Sequence, residues 1–221
     1  MKKVVINKIE DLELLRNIND DECYVSLENN LDFDNPKSYE DYARYKGKYR
    51  NGFEPIELRS ASVIFNGNFF SIDNLTINLP QKDNVGFFNL DNESTMAFKN
   101  LNLRIANVVG RRNVGIIGGN FNGVINNTLV SGTSKGDMIV GGLIGNSNNY
   151  LILNSVYSTI NIEGRGLKGL VCGNGKRVVL HSSNISPLDY IEEEHLGYTG
   201  YCDVLEMDER SNSKRKLQKS I

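Results

Sequence analysis

The stretch "VGGLIGNSNNYLILNSVYS", from Val140 to Ser158, decides the fold of this chain because its pattern recurs. Glycines and asparagines separate short apolar runs, and neighbouring segments show the same arrangement. These segments are "VGFFNLDNESTMAFKNLNLRI" at 85–105, "VGIIGGNFNGVINNTLVSG" at 114–132 and "LKGLVCGNGKRVVLHSSNI" at 167–185. Their apolar first residues, about 27 residues apart, are Val85, Val114, Val140 and Leu167. Self-similarity at a fixed period of this length is the signature of a repeat architecture.

A second series, of polar residues, repeats with the same period. Its members are Asn74, Asn100, Asn127, Asn154 and His181. Each follows a short apolar run, and two series with one period argue against chance. Stacked asparagines can form hydrogen bonds through their side-chain amides from one coil to the next. We therefore predict that Asn100, Asn127 and Asn154 stack on one corner of the fold.

Each repeat unit predicts strands and turns rather than helices. It contains apolar or β-branched runs separated by a Gly/Asn turn, without helical periodicity. One unit cannot bury its apolar faces alone, but units stacked in parallel bury a continuous core. The prediction is an all-β fold, a right-handed parallel β-helix (β-solenoid) with coils of about 27 residues. Glycine is expected at corners that need a positive φ, and asparagine also tolerates this left-handed conformation. Leu143, in the position of Ile117 and Leu170, is expected in the interior.

The segment "FEPIELRSASVIFNGNFFSIDNLTINL", from Phe53 to Leu79, resembles the opening coils of GLUG-motif β-helix proteins. Their signature is F-x-G-x-F-D-G-x-x-x-I-x-N-L-x-I, followed by V-G-G-L-[IV]-G coils. The matching residues here are Phe65, Gly67, Phe69, Ile72, Asn74, Leu75 and Ile77, whereas Phe70-Ser71 replaces the Asp-Gly step. Residues 6–35 are similar to the capping segment of that family. The resemblance implies a β-helix without known catalytic residues, of a kind that mostly occurs as repeats in larger surface or secreted proteins.

Composition divides the chain into four segments. These are an N-terminal cap and first coil (1–35), an insertion rich in Tyr, Lys and Arg (36–52), a GLUG-like β-solenoid (53–185), and a C-terminal cap with a charged tail (186–221). An apolar stripe at helical spacing predicts a capping helix within 8–19, formed by Ile9, Leu12, Leu15 and Ile18. Such a cap would cover strand edges that otherwise recruit other chains. Ser186-Pro187 predicts the start of a second capping helix, from Pro187 to Leu196.

The composition indicates a compact domain and excludes several classes of protein. With 221 residues and 39% hydrophobic content, the chain can bury one core. The net charge of -2 is too small to predict a nucleic-acid or membrane partner. No apolar run has the length of a signal-peptide core or a membrane span, so we predict a cytoplasmic location, or surface association within a larger assembly. Cys23, Cys172 and Cys202 are widely separated, which argues against a disulfide framework or a structural zinc site.

Motifs for catalysis or cofactor binding are weak. "GRGLKG" at 164–169 has the spacing of a dinucleotide motif, but a β-coil rather than a helix is predicted after it. "GNGKR" at 173–177 lacks the spacer of a phosphate loop. The two histidines are far apart in sequence, and no serine stands in a motif typical of a catalytic nucleophile. Carbohydrate cleavage would need paired carboxylates on adjacent coils, whereas residues 101–160 contain a single acid, Asp137. We therefore predict no catalytic residues, no metal site and no cofactor.

The insertion concentrates Tyr and Arg, the residue types that dominate hot spots of protein interfaces. Its candidate binding residues are Tyr39, Tyr42, Arg44, Tyr45, Tyr49 and Arg50. They alternate with lysines over a short stretch that interrupts the expected coil. An alternative role for these tyrosines is packing over the first coils of the solenoid. The sequence leaves both roles open.

The predicted function is that of a non-enzymatic scaffold that binds another protein. One concrete form is an inhibitor of a bacterial cellular machine, encoded by a phage or another mobile element. An alternative is a surface- or particle-associated adhesion or structural module, which the family resemblance favours. A polysaccharide-degrading β-helix enzyme is the least favoured of the three.

Overall fold

The structure is a computed structural model that describes residues 1–18, 22–59, 61–187, 197–199, 204–207 and 215–216. Most of these residues lie in two largely parallel β-sheets, which we name sheet A and sheet B. Sheet A contains β1 (Lys2–Ile6), β2 (Glu22–Leu27), β3 (Leu31–Asp32), β5 (Ser62–Asn66), β6 (Ser71–Asp73), β7 (Thr76–Asn78), β10 (Thr95–Val109), β13 (Gly123–Gly136), β16 (Leu151–Gly164), β18 (Val178–His181), β19 (Asn184–Pro187), β21 (Val204–Met207) and β22 (Arg215–Lys216). Sheet B contains β4 (Ile56–Leu58), β8 (Asp83–Val85), β9 (Phe88–Leu90), β11 (Arg112–Val114), β12 (Gly118–Asn120), β14 (Ile139–Gly141), β15 (Ile144–Ser147), β17 (Leu167–Gly175) and β20 (Gly197–Thr199). The helices are the 3-10 helices η1 (Ile9–Asn17) and η2 (Pro36–Ser38) and the α-helix α1 (Tyr42–Lys48).

The chain alternates between the two sheets and forms a β-solenoid. In sheet A, β10 pairs in parallel with β13, which places Leu101 beside Thr128, and β13 pairs in the same way with β16. In sheet B, Val114 lies between Val85 and Val140 in register. The hydrogen-bonded pairs Asn100–Asn127 and Asn126–Asn154 in adjacent coils are 27 and 28 residues apart, close to the predicted period. The predicted all-β fold, a parallel β-solenoid, is confirmed.

Aromatic and aliphatic side chains fill the interior between the sheets. Phe65 and Phe98, in adjacent coils, stack with ring centroids 5.4 Å apart, and the ring of Phe88 lies 6.0 Å from that of Phe98. Leu143 is fully buried, as predicted. Its backbone N–H donates a hydrogen bond to the carbonyl oxygen of Val171 in the next coil. Burial of this continuous apolar interior stabilises the stack by roughly 25 cal/mol per Å² of apolar surface removed from water.

Asparagine, rather than glycine, takes several of the left-handed corners. Positive φ values occur at Asn84 and Asn113 on one corner, and at Asn100 and Asn127 on another. By contrast, Gly145 in the "VGGLIG" stretch has no such φ. A Cβ atom at Gly145 would lie 2.2 Å from the backbone carbonyl carbon of Asn113. The expectation that these glycines supply the corners is therefore wrong, because Gly145 instead allows two coils to approach closely.

Asparagine side chains link the coils, but Asn154 has a different partner from the predicted one. Asn127 donates a hydrogen bond to Oδ1 of Asn100 at 3.3 Å, as predicted. Asn154 donates to Oδ1 of Asn126 at 2.6 Å, one residue away from the predicted partner. The prediction is wrong for Asn154 because this coil is one residue longer than the preceding one. A longer ladder runs along sheet B and consists of Asn89, Asn120, Asn146 and Asn174.

The predicted N-terminal capping helix is present as the 3-10 helix η1. Its buried residues, spaced three apart, are Ile9, Leu12 and Leu15, followed by Ile18. Side chains at i and i+3 eclipse each other in a 3-10 helix, so this strict spacing of three fits that geometry. η1 packs against β4, the edge strand of sheet B. The helix therefore covers a strand edge at the N-terminal end of the solenoid.

Pro187 does not begin a helix, contrary to the prediction. It ends β19, where it lies beside Ile160 of β16, in the edge position that proline tolerates in a sheet. The remainder of the predicted C-terminal helix, 188–196, lies outside the described residues, as does most of the charged tail. Strand pairing continues beyond residue 185, because β20 adds to sheet B and β21 adds to sheet A.

Candidate functional site

The insertion, residues 36–52, connects β3 of sheet A to β4 of sheet B. Its main element is α1, which is capped by the side chain of Asp41. The Asp41 carboxylate accepts a hydrogen bond from the backbone N–H of Arg44 at 3.0 Å, an arrangement that satisfies an otherwise unpaired donor in the first turn. At the end of the insertion, the backbone N–H of Phe53 donates to the carbonyl oxygen of Thr76 at 2.6 Å. The segment is therefore anchored where it rejoins the solenoid.

Three of the four tyrosines predicted to contact a partner are buried. Tyr39, Tyr45 and Tyr49, which we name the tyrosine cluster, are each 7% exposed. The ring centroid of Tyr45 lies 4.3 Å from that of Tyr39 and 4.8 Å from that of Tyr49. The ring of Tyr49 lies 5.5 Å from that of Phe53 in the core. These three tyrosines therefore pack over the first coils, which is the alternative role that the sequence left open.

Burial keeps the tyrosine cluster uncharged. Burial raises the pKa of Tyr45, and the neighbouring Tyr39 and Tyr49 hydroxyls raise it further. Burial also raises the pKa of Tyr39, whose hydroxyl donates a hydrogen bond to the carbonyl oxygen of Phe33. Loss of water penalises the phenolate form in both cases. The cluster therefore forms a neutral, packed support beneath α1.

Glu13 connects the cap helix η1 to α1. Its carboxylate accepts hydrogen bonds from Nζ of Lys48 at 2.8 Å, from Nε of Arg16 at 3.1 Å and from the Tyr49 hydroxyl. Burial acts to raise the pKa of Glu13, but these donors outweigh burial and hold the pKa below its ordinary value. Glu13 therefore remains ionised at neutral pH and joins the two elements.

Other acidic side chains beside α1 are also engaged within the protein. Glu10 accepts hydrogen bonds from the backbone N–H groups of Glu40 and Asp41 at 2.8 and 3.2 Å. The carboxylate of Glu40 pairs with the ammonium group of Lys8. These acids and Arg44 line a groove of about 470 Å³ between η1 and α1. Glu13 and Glu40 pair with the ammonium groups of Lys48 and Lys8, whereas Glu10 and Asp41 accept hydrogen bonds from backbone N–H groups.

Four of the exposed side chains of the insertion are the candidates for contact with a partner. They are Tyr42, Arg44, Lys46 and Arg50, which we name the insertion surface. Tyr42 is 39% exposed, and its ring centroid lies 5.3 Å from that of Tyr39 and 5.6 Å from Nζ of Lys46. Within the described part of the chain, the three cations form no ion pair. Of the sequence candidates, Tyr42, Arg44 and Arg50 belong to this surface, and Lys46 adds to them.

A second concave surface, which the sequence did not predict, lies on the outer face of sheet A. It is an open groove of about 670 Å³ that crosses β10, β13 and β16. We name it the sheet A groove. Its lining includes Ile105, Asn107, Ser131, Gly132, Thr133 and Thr159, together with Lys135 and Glu163. The groove therefore combines neutral polar groups with an exposed apolar residue.

The sheet A groove lies where β10 bends. The register between β10 and β13 shifts between Leu103 and Ala106, and Ile105 has a φ of 55°. A non-glycine residue in this region is strained by on the order of 1–3 kcal/mol. In the next coil, Gly132 has a φ of 144°, and a Cβ atom there would lie 2.0 Å from the carbonyl oxygen of Ala106. Sequence patterns did not reveal the bend, because Ile105 reads as an ordinary strand residue.

Carboxylates on the outer face of sheet A are paired with cations. Asp73 accepts two hydrogen bonds of 2.7 Å from the guanidinium of Arg104, and Glu163 pairs with Lys135 at 2.8 Å. Among the described residues, no three His, Cys, Asp or Glu side chains group together as a metal site requires. The glycine-rich motif at 164–169 runs into strand β17 rather than a helix, so it lacks the helix N-terminus of a dinucleotide site.

Comparisons with known proteins do not assign this chain to a family. No family model matches the chain, so membership of the GLUG-motif family stays a prediction. A segment of 106 residues is 37% identical to halomucin from Haloquadratum walsbyi and covers 47% of this chain and 1% of halomucin. A solved structure described as a "putative immunoglobulin A1 protease" from Bacteroides ovatus matches with 15% identity and a TM-score of 0.49, over 98% of this chain and 79% of its own. These values support no inference about activity. In the described ranges, every helix is too short or too polar to cross a bilayer.

Proposed function

We propose that the protein is a non-enzymatic β-solenoid scaffold that binds another protein through the insertion surface. The observation that carries this proposal is the exposed ring of Tyr42 with the ammonium group of Lys46 over it, in the same segment as the exposed Arg44 and Arg50. None of these three cations forms an ion pair within the described residues. Tyr and Arg are the residue types enriched in interface hot spots. Complementarity of charge favours a partner that presents acidic residues at the contact.

The tyrosine cluster supports this role because it holds α1 in place. α1 has only 7 residues and would not be a stable helix on its own. Tyr45 within α1 and Tyr49 directly after it pack towards Phe53, and the last residue of α1, Lys48, bonds to Glu13. A surface that is ordered before binding loses less conformational entropy in the complex. The buried tyrosines thus position the contact residues, although they are not contacts themselves.

Capture of a partner from the native host, followed by mass spectrometry, tests the proposal. The baits are the wild-type chain, Tyr42→Ala/Arg44→Ala, and the matched control Tyr157→Ala/Arg165→Ala, which removes the same residue types from exposed positions of later coils. We expect wild type and control to retain a stoichiometric protein that the first variant loses. Added salt should release this protein, because salt screens exposed charges. Equal retention by all three baits would exclude the insertion surface as the contact.

A surface- or particle-associated module is the second candidate, and the match to halomucin favours it. The 106 matched residues are 1% of halomucin, which is therefore a far longer chain. A solenoid suits such a context because each coil contacts only its neighbours, so coils can be added without changing the rest. Cell fractionation separates the candidates. Recovery in an envelope or particle fraction supports this module, whereas recovery with a soluble cytosolic partner supports the phage-type inhibitor predicted from the sequence.

A further inference from the structure

We propose that the sheet A groove binds a neutral, extended glycan that lies across β10, β13 and β16, with one sugar at each coil. This site is separate from the insertion surface and does not depend on protein binding there. The proposal rests on four properties of the groove: its polar groups, its charge balance, its exposed apolar side chains and the spacing of its rows.

The groove presents polar groups that have no partner among the described residues. Asn107, Thr133 and Thr159 line it, and their side chains form no hydrogen bond with the described part of the chain. Hydroxyl and amide groups can each donate and accept. A ligand that carries many hydroxyl groups would therefore find partners of both kinds.

The charges in and beside the groove are balanced internally. Lys135 and Glu163 pair at 2.8 Å, and Arg104 pairs with Asp73 through two bonds of 2.7 Å. A charged ligand would have to compete with these ion pairs. The chemistry of the site therefore fits an uncharged ligand better than a nucleotide, a phosphate or an acidic peptide.

Exposed apolar side chains lie beside the polar groups. Ile105 in the groove is 67% exposed, and Leu129 and Tyr157, neighbours on the same outer face, are 42% and 55% exposed. Tyr157 precedes Thr159 by two residues in β16, so both side chains point outward. Leu129 and Tyr157 lie side by side in register, so they offer one apolar surface to a ligand. The carbon-hydrogen face of a sugar ring can pack on the Tyr157 ring while its hydroxyl groups bond to the threonines.

The rows of the groove repeat at the coil spacing. Ser131 lies beside Thr159 in register, and Asn107 lies beside Thr133. Neighbouring strands are about 4.8 Å apart, and a pyranose ring in an extended β-linked chain has a closely similar length. A glycan that follows the solenoid axis therefore meets a side-chain hydroxyl or amide group in each of two adjacent coils along either row.

The test is titration of the full chain with cellohexaose, chitohexaose and xylohexaose, followed by NMR or calorimetry. An anionic hexagalacturonate and an uncharged Gly/Ser peptide of similar length serve as comparison ligands. We expect at least one neutral hexasaccharide to bind with a Kd of about 1 mM or tighter, with chemical-shift changes confined to the groove. Thr133→Val/Thr159→Val should weaken binding about tenfold by removing two hydroxyl groups. The matched control Thr95→Val, at the start of β10, should not change it.

The result that overturns the proposal is absence of binding by all three neutral hexasaccharides at about 10 mM. Tighter binding of hexagalacturonate, or equal binding of the peptide, would also overturn the assignment of a neutral glycan. Unchanged affinity for the hexasaccharide in the folded double variant would exclude Thr133 and Thr159 as contact residues and would contradict binding in this groove. If the double variant does not fold, the exposed Thr159→Val alone should still weaken binding by a measurable factor.

Discussion

The side-chain amide of Asn146 donates a hydrogen bond of 3.0 Å to Oδ1 of Asn120 in the preceding coil. Oδ1 of Asn146 also accepts one of 2.7 Å from Asn174 in the following coil. Asn146 is only 6% exposed, and its loss removes this partner from half-buried amide groups of both neighbours. Asn146→Ala should therefore lower the free energy of unfolding by about 1–3 kcal/mol.

Asn127→Gly is the matched control for this prediction, because glycine removes the side chain and adopts the positive φ of this corner without strain. Asn127 is exposed, and its bond to Asn100 is 3.3 Å long. Removal of an exposed side chain should change the free energy of unfolding by no more than about 0.5 kcal/mol. Urea unfolding of both variants measures the difference. Equal losses would show that the ladder in sheet B contributes no more than an exposed contact.

Leu143→Ala should lower the free energy of unfolding by about 2 to 5 kcal/mol, through lost burial and the cavity left behind. Leu143 is fully buried, whereas Leu167 is 43% exposed. Leu167→Ala should therefore lower it by a smaller amount, which thermal and urea unfolding can compare directly. An unchanged melting temperature for Leu143→Ala would be incompatible with an interior position.

The repeat could be predicted from the sequence because interior and corner positions impose the same residue types in every coil. Val85, Val114 and Val140 pair in register as their spacing indicated. The prediction failed by one residue at Leu167, which pairs with Ile139 rather than Val140. A fixed period does not show which coil contains one residue more than the others, because a turn can accommodate the extra residue without changing the apolar pattern of the strands.

The candidate site could be predicted only in part. The sequence placed the tyrosines in one insertion, but their burial depends on which side of α1 faces the solenoid. That side is set by the start of α1 directly after the Asp41 cap. In this orientation of α1, Tyr45 and Tyr49 are buried and Tyr42 is exposed. The sheet A groove could not be predicted, because it depends on the backbone bend at Ile105.

Tyr45→Ala should lower the free energy of unfolding by about 3–5 kcal/mol, in the range observed for buried aromatic residues. The ring of Tyr45 contacts both Tyr39 and Tyr49, so its loss opens a cavity in the tyrosine cluster. Tyr42→Ala should have a smaller effect, because Tyr42 is 39% exposed. Calorimetric melting of the two variants tests this ranking. A larger loss of stability for Tyr42→Ala than for Tyr45→Ala would mean that a different side of α1 is buried.

Stability should fall at alkaline pH because the folded protein raises the pKa of Tyr39 and Tyr45. In the unfolded chain, tyrosine ionises near pH ~10. The stabilising difference is therefore fully present below about pH 10 and is lost as pH rises towards the folded pKa values. Urea unfolding at stepped pH should show this loss, with a shallower slope for Tyr45→Phe. Identical slopes would mean that Tyr45 titrates alike in both states.

The affinity of the Tyr42→Ala/Arg44→Ala variant for the captured protein tests the central claim most directly. If the insertion surface is the contact, this variant should bind at least ~2 kcal/mol more weakly than wild type, about thirtyfold in Kd. Its melting temperature should stay close to that of wild type, because both side chains are exposed, and Tyr157→Ala/Arg165→Ala should bind as wild type does. Wild-type affinity in a folded Tyr42→Ala/Arg44→Ala variant would contradict the claim.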